Sequence, residues 1–86
     1  MELRDTIDLM KSEHWENRFL AEYRQTKIRH ERLHRMIVKY HAETLDFKPK
    51  CDLGLLEEQE SAMDHYLKIL EIRAEIEGID ISELMK

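Results

Sequence analysis

Two glycines and one proline are the only residues in this chain of 86 that readily interrupt a helix, and Pro49 falls near its middle. Proline lacks an amide N–H and drives the residue before it away from helical angles, so a helix arriving from the N-terminal side must end before Lys48. On both sides of Pro49 the apolar residues recur at helical spacing, and no run alternates with period two. The sequence therefore predicts an all-α chain. Its two long helices fold back on each other across a turn at about residues 46–52, as an antiparallel helical hairpin with short terminal helical segments.

The first arm carries a seam at Trp15, Phe19, Tyr23, Thr26, His30, Leu33, Ile37, Tyr40 and Thr44, the three-four alternation of a packing face. Ser12, followed by the acids Glu13 and Glu16, suits an N-cap at the positive end of a helix dipole. The first helix is therefore expected over residues 12–45, after an N-terminal segment, residues 1–11, with Leu3, Ile7 and Met10 at helical spacing. Asp52 suits the cap of a second helix over residues 53–77. Gly78 followed by apolar Ile79 suits its left-handed end. Asp80 and Glu83, three apart, have the spacing of a capping box and predict a short helical turn over residues 80–85.

A single domain of this size buries only about 60–65% of its unfolded surface, so its core is marginal alone. On the second helix Leu55, Leu56, Ala62, Met63, Tyr66, Leu67, Ile69, Leu70, Ile72, Ala74 and Ile76 cover roughly half the circumference. That arc is wider than one partner helix covers. The first helix, at ~50 Å against ~37 Å for the second, would leave Trp15 and Phe19 overhanging. Both points are met by a homo-oligomer, an oligomeric helical bundle in which second helix packs on second helix and a neighbour covers the overhanging aromatics.

Between Arg24 and Lys39 the chain holds Arg24, Lys27, Arg29, Arg32, Arg35 and Lys39 against one acid, Glu31, within a protein of net charge -5. Lys27, Arg32, Arg35 and Lys39 share a side of the helix distinct from the packing seam. A basic face of this kind either solvates the helix and pairs with the acids of the second arm, or binds an anion. Tyr23 and Tyr40 bracket it, and a nucleotide site needs a flat ring for a base beside cations for phosphate. Duplex DNA is a poor partner for a protein of pI ≈ 5.5, which is repelled outside this patch.

His30-Glu31-Arg32-Leu33-His34 is a literal H-E-x-x-H, in which two histidines on one helical face bind zinc and the glutamate activates water. A working site also needs a third ligand and an open coordination position. The longer metzincin form fails, since Ile37 and Tyr40 stand at its glycine and third-histidine positions. Glu60 or Asp64 could face His34 across the hairpin, but five histidines in 86 residues make a chance match easy. No phosphate loop, nucleophile elbow or C-x-x-C pair occurs, so the expectation is a non-enzyme with no cofactor and no metal. Cys51 is the one cysteine, which excludes an intramolecular disulfide. No apolar run approaches the ~18 residues of a membrane span, nor is there a signal-peptide pattern, so a cytoplasmic protein without a membrane partner is expected.

The segments A-E-Y-R-Q-T-K-I-R-H-E-R-L (Ala21 to Leu33), M-I-V-K-Y (Met36 to Tyr40), F-K-P-K-C and M-D-H-Y-L-K-I-L-E-I-R-A-E-I-E-G (Met63 to Gly78) resemble small helical proteins of phages and prophages, including relatives of crAss-like phage proteins. More distantly, the architecture is similar to the helical-hairpin sponges with which phages sequester the cyclic nucleotide signals of CBASS and Thoeris immunity. The chain lacks the aromatic-Tyr-His-Pro segment ahead of the first helix of those sponges, so its candidate ligand residues are chosen on chemistry. They are Tyr23 for stacking, and Lys27, Arg32, Arg35 and Lys39 for phosphate. The resemblance implies a phage counter-defence protein in the cytoplasm of a bacterial host that sequesters a cyclic oligonucleotide or related nucleotide immune signal. The alternatives are a protein-binding module, an inhibitor docking its basic helix on a host protein, and a zinc enzyme built on His30, Glu31 and His34.

Overall fold

The structure is a computed structural model that describes residues 14–84. The expected segment 1–11 and the Ser12 cap lie outside the described residues. The fold is all-α: α1 (Trp15–His41) and α2 (Leu53–Glu77) pack antiparallel as a hairpin, and no strand occurs among the described residues. Three side-chain pairings tie the helices, two of them in one antiparallel register and the first on a diagonal. Glu22 meets Tyr66, Tyr23 meets Glu71 and His34 meets Glu60.

α1 ends earlier than its periodicity predicts. The Glu43 N–H donates to the Tyr40 carbonyl at 3.1 Å and the Thr44 N–H to the Lys39 carbonyl at 2.9 Å, a Schellman closure that satisfies the last carbonyls four residues before Leu45. Glu43 accordingly sits in the left-handed region at φ 61°, a conformation that costs a residue with a Cβ. Pro49 excludes a helix beyond Lys48, but the chain turns before reaching it. α2 begins after Asp52, whose carbonyl accepts the Leu55 and Leu56 N–H groups at 3.1 and 3.2 Å. Its side chain makes no capping bond. At the other end Gly78 is left-handed at φ 73°, and the Ile79 N–H donates to the Ala74 carbonyl at 2.9 Å.

These ends make the helices nearly equal, 27 and 25 residues, or about 40 and 38 Å at 1.5 Å per residue. The overhang expected from a longer first helix is corrected accordingly. Of the two aromatics expected to overhang, Trp15 is 43% exposed but Phe19 is not left for a neighbouring chain. It is buried with Tyr23, Leu67, Leu70, Ala74 and Ile81, and Leu20, Ile79 and Leu84 pack around them. The segment after Gly78 supplies this cover: it turns back across the start of α1 and is held by Arg24, whose Nη1 donates to the Leu84 carbonyl at 3.3 Å. Its own turn is tied by Asp80, which accepts from the Ser82 N–H and hydroxyl at 2.9 and 2.7 Å; these bonds hold the Asp80 carboxyl below its usual range.

The core is thus concentrated where α1 begins and α2 ends. α1 also buries Ala21, Gln25 and Ile28, which lie on a different side from the seam of Phe19, Tyr23, Thr26 and Ile37. One packing face was expected and this helix has two.

Two backbone positions test this account of the helix ends. Glu43→Gly removes the left-handed penalty and is expected to raise stability by about 0.5–1 kcal/mol. Gly78→Ala should cost about 1 kcal/mol. For a domain of this size these amount to shifts in Tm of a few degrees in opposite directions, read by thermal circular dichroism.

Candidate functional site

The sequence grouped Tyr23, Lys27, Arg32, Arg35 and Lys39, and the structure divides them. Tyr23 is fully buried. Its hydroxyl donates to Glu71 Oε2 at 2.8 Å, and burial first, then this bond, pushes its phenol well above the usual range. Its ring faces the core on one side and receives Lys27 Nζ at 5.9 Å from the centroid on another. Lys27 lines a small recess between the helices with Tyr23, Asp64, Lys68 and Glu71. That recess carries both signs of charge, and Tyr23 presents no open ring face within it.

Arg32, Arg35 and Lys39 lie on the side of α1 turned away from α2 and are exposed. Because α1 closes at His41, the chain doubles back early enough for Leu45, Asp46 and Phe47 to come against this face. Together with Met36 they line a recess of about 350 Å³, at the small end of ligand-sized pockets. Three cations face one acid, Asp46, and the Phe47 ring is 56% exposed, an apolar plane available beside them. Sequence reasoning missed Phe47 because it took these residues as helix and turn. The signal that could have found it is an aromatic placed just before Pro49, on the segment that must fold back over the end of the basic helix.

A second, larger groove of about 890 Å³ opens between the helices near the turn, lined from α1 by His30, His34, Ile37 and His41 and from α2 by Glu57, Glu60 and Asp64. Glu60 Oε1 stands 3.1 Å from His34 Nδ1, and the His30 and His34 rings stack with centroids 6.4 Å apart. The H-E-x-x-H histidines therefore do share a face, with Glu60 within bonding distance of His34 and Glu57 and Asp64 on the same wall of the groove. Among the described residues, however, no group of three or more His, Cys, Asp or Glu side chains is arranged to hold a metal ion. Cys51 is exposed, on the loop between the helices.

The sequence model of the Sequestin family matches residues 5–76, a span that includes both helices up to the last turn of α2. The chain belongs to the Sequestin family. The family name denotes sequestration, which is consistent with a binding role rather than a catalytic one. No curated protein and no solved structure matches the chain. In this family member no described helix is long and apolar enough to cross a membrane.

The buried phenol has a measurable consequence. Its pKa is raised in the folded state, so the native chain keeps this proton when the unfolded chain, with an ordinary tyrosine pKa near 10, has lost it. Stability from this group is whole below about pH 9 and is lost as pH rises above about 10. Tyr23→Phe is expected to cost about 0.5–1.5 kcal/mol at neutral pH and to flatten the alkaline limb, measured by urea unfolding at pH 7 to 11.

Proposed function

We propose that this Sequestin family member captures a phosphate-bearing nucleotide signal, a cyclic oligonucleotide or a related nucleotide, and holds it without chemistry. Arg32, Arg35 and Lys39 meet phosphate, and Phe47 takes the stacking role that the sequence pattern first gave to Tyr23. The observation that carries this reading is the recess itself, in which three cations and an exposed aromatic ring stand together on the face of α1 opposite α2. Guanidinium groups give charge-assisted, often bidentate, bonds to phosphate, and a ring beside them distinguishes a nucleotide from a bare anion. An open recess of this kind suits capture rather than catalysis, since it gives no enclosed, water-free space in which a reacting group is held. Together with the resemblance to phage proteins, this supports a counter-defence role in the cytoplasm of a bacterial host.

Titration calorimetry against a panel of cyclic dinucleotides and trinucleotides tests the reading. Binding should weaken as salt is raised. Changing both Arg32 and Arg35 to Ala removes two contacts worth roughly 1.5–3 kcal/mol each, a loss on the order of a hundredfold or more. Phe47→Ala should cost about 1–3 kcal/mol if a base stacks there, and almost nothing if phosphate alone is read. Tyr23→Phe should leave affinity unchanged. The exposure of Arg32, Arg35 and Lys39 along an outward helix face also suits a second reading, docking on an acidic host protein. A panel in which no cyclic nucleotide binds would make that the leading one.

A further inference from the structure

We propose that two copies of this chain pair through the outer face of α2, antiparallel, in a register that sets Lys68 of each against Glu75 of the other. This does not depend on what the basic recess binds. It gives a direction and a register to the self-association that the sequence only suggests.

The face is apolar and uncovered. Ile69, Ile72 and Ile76 are 41%, 60% and 78% exposed, and with Ala62 and His65 they keep the three-four alternation of a helix-pairing seam. That seam lies about 150° around α2 from Leu67, Leu70 and Ala74, the residues it buries towards α1. The hairpin therefore leaves a second stripe on the same helix with no cover.

Charge selects a second copy and its direction. A two-fold interface must be self-complementary. With Ile69 opposite the partner's Ile72, and Ile76 opposite the partner's His65, Lys68 and Glu75 flank the same edge of the seam and meet reciprocally, giving two opposite-charge pairs from one patch. A parallel pairing in the same seam sets Lys68 beside the partner's Arg73, a like-charge contact. Lys68 at present reaches Asp64 on its own helix at 3.4 Å, an exposed pair of the kind that is readily exchanged. The face that carries Arg32, Arg35 and Lys39 is on the far side of the hairpin, so the dimer leaves both recesses open to solvent.

Sedimentation equilibrium and cross-linking test this on the full chain. The wild type is expected as a dimer at micromolar concentration, and Ile72→Glu with Ile76→Glu as a monomer of unchanged helicity by circular dichroism. Lys68→Glu alone should weaken association at least tenfold, and adding Glu75→Lys should restore it. For direction, single cysteines are placed in a Cys51→Ser background. In the antiparallel register the two copies of residue 69 lie about 5 Å apart along the axis, and those of residue 76 about 17 Å apart. Ile69→Cys should then cross-link under oxidation and Ile76→Cys should not. A wild-type monomer, or a dimer that survives the double glutamate change, overturns the interface; equal cross-linking at both positions overturns its direction. Neither outcome bears on cyclic nucleotide capture, which calorimetry reads separately.

Discussion

The bond from Tyr23 to Glu71 sets the register on which the other cross-helix contacts depend. A phenol with no exposed surface must find an acceptor or lose its solvation uncompensated, and the acceptor it finds is a carboxylate on the opposite helix, 2.8 Å away. Sliding α2 by one residue along α1, about 1.5 Å, would stretch that bond and shift Leu67, Leu70 and Ala74 along the core they form with Phe19. Held where it is, the same register sets His34 opposite Glu60, and Tyr66 reaches Glu22 on a diagonal. The remaining packing at that end comes from the segment after Gly78, whose Ile81 and Leu84 close over Phe19.

Much of this is legible in the residues. Pro49 forces a break, Gly78 followed by Ile79 marks a left-handed helix end, and the Phe19, Tyr23, Ile37 seam lies towards α2 as its spacing requires. The end of α1 was not legible, because Glu43 in the left-handed region runs against its own preference and is chosen by two backbone hydrogen bonds that no side-chain pattern announces. That error of four residues propagated. It made α1 too long, left Phe19 apparently overhanging, and hid the return of Phe47 over the basic face. The basic residues themselves were read from spacing, but their division was not. Tyr23 and Lys27 sit about 160° and 120° around the helix from Lys39, and only the position of α2 decides that the first is core and the second lies beside it.

The consequence is a separation of tasks around α1. The side towards α2 carries the main core and the mixed-charge contacts of Lys27, and the opposite side buries Ala21, Gln25 and Ile28 in its first half and exposes Arg32, Arg35 and Lys39 in its second, where Asp46 lines a recess with them. Acids on α2 cannot neutralise cations that face away from it. Arg32, Arg35 and Lys39 are therefore exposed on that face rather than turned into the hairpin.

α2 has the complementary arrangement. Its inner face is committed to α1 and its outer face carries Ile69, Ile72 and Ile76, so the apolar surface left over by the hairpin and the basic surface left over by it lie on opposite sides of the molecule. Apolar burial is nondirectional and large, while phosphate contacts are screened and salt-dependent, so placing them apart lets each side meet a different partner without either being covered by the other. A chain that put its leftover isoleucines beside Arg32 would bury those cations on self-association and would need to release its neighbours before it could hold an anion.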